Sequence, residues 1–341
     1  MPALPHLKQR NSSVELYRII ATLTVLIVHF NGWFVGGMPE KFDFSNPSVF
    51  RTGQMIIEAA TCICVNMFLI ISGYFGIKLK LQSVVRICLL LVSIYVPFYF
   101  WDSLLSHNFK ITGFISQFFV ISRAGYFIQC YMMLMFLSPV LNAFIEKYDS
   151  RIVLKWTMLF WLIEFWFGCV HVNENFGFNH GYSIIHFVLI YMLARCVYLY
   201  KELLLKQPTY FWLTGYMLST ILICVMYIIG FECAFDYSNP IVVFSAICTF
   251  VPFLYKSYYI PLINWIAGGT LAVYIIHCTN PVHRYLAECD YYLLVHSFYS
   301  SYLMYVGTLI LFTFLCSSLY GIIANKIINY IFKSVHSKVN G

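Results

Sequence analysis

The chain has 341 residues, of which 61% are hydrophobic, 19% aromatic and only 10% charged. Soluble domains carry about 25% charged residues, so a soluble globular protein is excluded and nearly the whole length is expected in or beside a bilayer. The formal charge of +7 implies no nucleic-acid partner, because the Lys and Arg residues flank apolar segments instead of clustering with exposed aromatics.

A span needs about 20 mainly apolar residues. In chain order that rule predicts ten: 14–34, 54–76, 84–105, 125–146, 152–171, 183–201, 209–230, 238–256, 262–282 and 302–332. The stretch 106–124 is too polar for a further span and reads as a short interfacial helix. The first segment carries Glu15, Arg18 and His29, so it is expected to stay in the protein and not to be cleaved as a signal. The expected fold is therefore all-α: a polytopic membrane protein of about ten transmembrane helices, with one integral-membrane domain over 1–341 and a core of about 12–333. The loops are too short to house an enzyme, so any active site must lie between helices.

Counting basic residues between the predicted spans puts fifteen on the side of the two termini and five on the other. By the positive-inside rule both termini are expected in the cytoplasm, and the location is a cytoplasmic (inner) membrane. Most of the twelve cysteines fall inside apolar runs, where Cys acts as a small hydrophobe. Cys62-x-Cys64 has no second pair to complete a zinc pattern, so no metal is expected.

Ionisable residues inside spans are costly and mark functional paths. Arg18 and His29 are eleven residues apart, which returns a helix to within roughly 20° of its starting azimuth at a rise of about 16 Å. Both side chains are expected on one face, Arg18 near the cytoplasmic surface and His29 deep. Arg18 either snorkels to headgroups or meets a substrate; His29 is either a packed histidine or a general base. Glu58 either orients His29 or pairs with a loop cation such as Arg51. His277, Tyr274, Glu164 and His186 come out toward the outer half, as a structural polar network or as an acceptor pocket. Ser72-Gly73-Tyr74 lacks the Gly-x-Ser-x-Gly elbow of a serine nucleophile. Gly73 is expected to permit close helix packing, with Ser72 and Asn66 as polar contacts to a substrate.

Four blocks together resemble the acyltransferase family 3 of membrane proteins, which move acyl groups onto cell-surface glycans and related acceptors. They are NSSVELYR leading into the Arg18-x10-His29 spacing, VNMFLIISGYF at 65–75, LSPVLNAFI at 137–145 and INWIAGGTLAVYIIH at 263–277. They occur in family order and extend over essentially the whole chain. The resemblance implies an O-acyltransferase using acetyl-CoA or another acyl-CoA as cosubstrate, with His29 as base assisted by Glu58. Arg18, Arg86, Asn66 and Ser72 would contact the donor, and His277, Tyr274, Glu164 and His186 the glycan or lipid-linked saccharide acceptor. One departure stands out. The family's Arg-x-x-Arg pair at the third span reads SVVR here, with Ser83 in the first position and only Arg86 retained. A glycan or acyl-metabolite transporter is the competing expectation; paired, Gly-broken spans in repeated halves would mark it, and Gly268-Gly269 has no such partner.

Overall fold

The computed structural model describes residues 10–39, 41–45, 48–172 and 176–339, with side chains as far as 335. Lys8 and the side chain of Lys338, both used in the charge count, lie outside the described residues.

Among the described residues every regular element is helical. In chain order these are α1 (Ser12–Asn31), α2 (Val49–Thr61), α3 (Cys64–Phe75), α4 (Leu81–Ser106), α5 (Ile111–Ser116), α6 (Val120–Arg123), α7 (Tyr126–Lys147) and α8 (Ser150–Phe165). There follow α9 (Ile184–Leu199), α10 (Lys201–Leu204), α11 (Thr209–Ile228), α12 (Pro240–Phe250), α13 (Pro261–Ala267), α14 (Thr270–His277), α15 (Val282–His296) and α16 (Tyr299–Val339). Seven helices are long and apolar enough to cross a membrane, eight when a bent pair is counted as one. The sixth and eighth expected spans are shorter apolar helices, Ile184–Leu199 and Pro240–Leu254. The interfacial stretch is two short helices, α5 and α6, instead of one.

The ninth expected span differs most. It breaks after α13 at Gly268-Gly269, resumes as α14, and turns by 80° into α15 immediately beyond His277. Glycine costs about 1 kcal/mol in a helix interior, and a proline, here Pro281, cannot supply the N–H that would continue α14. The chain thus stops α14 at the level of His277, where its side chain is held.

Local chemistry sets the helix ends. Asn11 caps α1 by accepting from Ser13 N, and Glu15 sits in the positive first turn. Arg195 Nη1 donates to the Tyr74 carbonyl at 2.9 Å, closing the C-terminus of α3 with a cation where the helix dipole is negative. The span containing α1 is 67% buried and that containing α2 and α3 is 61% buried, against 22% for α4 and for α11. α1 and α3 therefore form the axis, with α9, α12 and α14 around them and α4 and α11 facing outward. α3 packs closely on α9 because Gly73 has no side chain: a Cβ there would lie 2.6 Å from Ala194 Cβ and 2.7 Å from the Tyr191 carbonyl oxygen. Trp33, Trp101 and Trp265 are exposed.

Candidate functional site

α1 carries Arg18 and His29 to two separate cavities. The larger, about 880 Å³, is lined by His29, Glu58, Asp102 and Tyr274 together with tyrosines from four other segments. The smaller, about 190 Å³, is lined by Arg18, Ser72, Tyr131, Thr270 and again Tyr274. Tyr274 and Ile128 border both, so they form the partition between them.

The chemistry of the larger cavity follows from one chain of hydrogen bonds. His277 is fully buried, and its Nδ1 lies 2.7 Å from the Val273 carbonyl oxygen. A carbonyl can only accept, so His277 Nδ1 carries a proton and its Nε2 presents a lone pair. That Nε2 lies 2.7 Å from His29 Nδ1, which must therefore be the donor. A neutral His29 then has its lone pair on Nε2, and among the described residues no protein group bonds that atom. The backbone carbonyl and His277 thus fix the His29 tautomer, the task a carboxylate performs in a Ser-His-Asp triad. Trp33 packs edge-on against the His29 ring at 4.8 Å between centroids, limiting its rotation.

Glu58 makes neither of its expected contacts. Its Oε2 accepts from Asn31 Nδ2 at 2.8 Å, while Arg51 donates to Gln54 Oε1 at 2.6 Å. The Glu58 side chain still lines the His29 cavity.

At the other end, Arg18 Nε lies 3.2 Å from Glu15 Oε2, and Arg10 approaches the same carboxylate at 4.0 Å. Ser72 Oγ donates to the Phe68 carbonyl at 3.0 Å and lies 3.4 Å from the Tyr131 hydroxyl, so it is occupied as a helix-bound hydroxyl at the cavity wall. Arg86 is exposed, lies over the Phe332 ring at 5.1 Å, and lines neither cavity. The expected donor contact of Arg86 therefore falls outside both cavities, where its position in α4 turns it toward Phe332 of α16.

Asn66, His186 and Glu164 are brought together, but outside both cavities. His186 Nε2 lies 2.7 Å from Asn66 Oδ1, and its Nδ1 lies 3.0 Å from Glu164 Oε1, with all three residues fully buried. Asn66 Nδ2 donates to the Tyr237 carbonyl at 3.0 Å. The group ties α3, α8, α9 and the loop before α12 into one unit. Its hydrogen bonds run among these residues while Glu164 Oε2 has no hydrogen-bond partner, and none of the three expected substrate contacts lines either cavity.

Sequence reasoning missed the tyrosines of the chamber, including Tyr95, Tyr126, Tyr182 and Tyr237. With 27 tyrosines and 32 phenylalanines in the chain, periodicity singles out none of them. Burial pushes the Tyr182 and Tyr237 phenols up, so near neutral pH both remain O–H donors suited to sugar oxygens. At the rim, Arg284 pairs with Asp102 at 3.2 Å.

Two clusters hold metal-ligating atoms within 4.8 Å of one another: His29, His277 and Cys278, and Cys169, Cys233 and Asp236. Two nitrogens on one tetrahedral Zn²⁺ stand about 3.3 Å apart, given Zn–N bonds of about 2.0 Å. The 2.7 Å separation of His29 and His277 is a hydrogen bond and too short for that arrangement. No family profile, no curated protein and no solved structure matches this chain.

Proposed function

We propose that the protein is a membrane O-acyltransferase that moves an acetyl or other short acyl group from cytoplasmic acyl-CoA to a hydroxyl of a surface polysaccharide or lipid-linked glycan. In this reading the chain crosses a cytoplasmic membrane ten times, with the two shorter helices as spans and both termini in the cytoplasm. The observation that carries it is the Val273–His277–His29 relay, which holds a basic nitrogen at a polar chamber large enough for a sugar.

The donor side is the Arg18 cavity. At about 190 Å³ it is below the roughly 300–1,000 Å³ of ordinary ligand pockets, so it admits the slim pantetheine arm and leaves the nucleotide outside, beyond half-buried Arg18. Arg18 supplies fixed-geometry donors to a phosphate or amide oxygen. The thioester passes the Tyr274–Ile128 partition toward His29.

An acceptor hydroxyl in the chamber gives its proton to His29 Nε2 as its oxygen attacks the thioester carbonyl. The carbonyl π electrons move to oxygen, and phenol O–H groups lining the chamber can donate to that oxyanion. Collapse re-forms C=O and breaks the C–S bond. The CoA thiolate takes the proton from His29 Nε2, leaving an ester and CoA-SH. The His29 imidazolium formed in between is stabilised through Nδ1–H by the His277 lone pair.

The test is CoA release from acetyl-CoA by purified protein, with and without glycolipid acceptor, for wild type and His29→Ala. Acceptor-stimulated release in wild type alone supports the reading. Equal release by both proteins refutes it.

A further inference from the structure

A second cluster lies apart from the relay. The helix α8 continues into a π-helical turn, Trp166–Val170, which presents half-buried Cys169; such turns recur at functional positions. The loop before α12 folds so that Asp236 N donates to the Cys233 carbonyl, placing Cys233 and Asp236 on one side of a turn. Between α8 and α9, Asn179 and His180 are left-handed at φ of 40° and 55°, a conformation non-glycine residues seldom adopt. It aims His180 Nδ1 at Asp236 Oδ2, 2.6 Å away. Three segments distant in sequence thus converge.

Sγ of Cys169, Sγ of Cys233 and a carboxylate oxygen of Asp236 all lie within 4.8 Å of one another. Two thiolates on a tetrahedral Zn²⁺ stand about 3.8 Å apart, given Zn–S bonds of about 2.3 Å, so small side-chain adjustments suffice. Two sulfurs with one carboxylate favour a borderline-soft ion over Ca²⁺ or Mg²⁺. His180 hydrogen-bonded to the Asp236 carboxylate is the kind of outer contact that orients a ligand. Its side chain is 43% exposed, so an ion can reach the cluster from solvent.

We infer that Cys169, Cys233 and Asp236 form a Zn²⁺ site, with His180 as a positioning residue and water in the fourth position. Binding releases the two thiol protons to solvent. The ion staples the end of α8 to the loop that carries Tyr237, and so fixes one wall of the chamber. The site stands independently of the acyl-transfer reading.

The probe is Co²⁺ titrated into the reduced, chelator-stripped, full-length chain in detergent, followed by Zn²⁺ competition. Wild type is expected to show thiolate-to-cobalt charge-transfer absorption and tetrahedral visible bands, which Zn²⁺ abolishes. Cys169→Ser and Cys233→Ser should lose the charge-transfer signal, Asp236→Asn should weaken binding, and His180→Ala should weaken it about 10- to 100-fold. Cys278→Ser should bind like wild type. Absence of thiolate bands in the reduced wild type overturns the inference without reliance on any variant. So does a signal that survives both cysteine changes or vanishes with Cys278→Ser. A Cys169–Cys233 disulfide in protein isolated without reductant, with no metal uptake after reduction, also overturns it and marks a redox pair instead.

Discussion

Replacing His277 with leucine is the sharpest probe of the relay. The change puts an apolar side chain in a fully buried position and removes the acceptor 2.7 Å from His29 Nδ1. In the resting state of the proposed enzyme that bond is neutral. In the transition state His29 is cationic, and the bond becomes charge-assisted. Hydrogen bonds to charged groups contribute about 1.5–3 kcal/mol, which at 1.36 kcal/mol per decade is a loss of roughly 10- to 150-fold in kcat. His277→Gln, whose amide oxygen can reach the place of Nε2, should recover much of that loss. The assay is acceptor-dependent CoA release at saturating donor, with monodispersity in detergent as the folding control. His29→Ala should cost more, about 10²- to 10⁴-fold. The double variant should be no worse than His29→Ala, because His277 acts only through His29. Wild-type kcat in His277→Leu, or additive losses in the double variant, would refute the reasoning.

Arg18→Gln should raise the KM for acyl-CoA about tenfold or more while largely sparing kcat, from loss of a charged hydrogen bond; an unchanged KM would remove Arg18 from the donor site. Glu164→Ala should lower thermal stability through the unpartnered His186 Nδ1 and the space left behind, by about 2–4 kcal/mol. The folded fraction should keep turnover close to wild type. Loss of turnover in well-folded Glu164→Ala would return that carboxylate to the mechanism. Gly73→Ala should destabilise by about 1–3 kcal/mol, because its methyl would lie 2.6 Å from Ala194 Cβ; an unaltered melting temperature in detergent would contradict the α3–α9 packing described above.

Much of this architecture is legible in the sequence because the bilayer imposes a strong length and polarity filter. The long apolar segments fall where hydropathy puts them, and the Arg18–His29 spacing, a local property of one helix, carries the two residues to two neighbouring cavities. The failures have a common cause, which is pairing across segments. Nothing local distinguishes His277, held at the relay by the α14 break, from His186, held between Asn66 and Glu164 outside both cavities. Arg86 matches a motif position, yet the rotation of α4 directs it at Phe332. Glu58 lies on the chamber wall as its depth suggests, but Asn31 takes its oxygen. The Cys169–Cys233–Asp236 cluster is invisible in the chain because Cys169 lies far in sequence from the turn that carries Cys233 and Asp236, and the cysteines read as apolar fillers until the segments converge.

The central claim is that His29 Nε2 accepts the acceptor proton during acyl transfer. Its most direct test is CoA release from acetyl-CoA by wild type and His29→Ala, reconstituted in liposomes with a total glycolipid extract and matched for folded protein. The account predicts acceptor-stimulated release and acetylated glycolipid with wild type, and neither with His29→Ala. Release and glycolipid acetylation by His29→Ala equal to wild type, or none from wild type beyond the His29→Ala background, would contradict it.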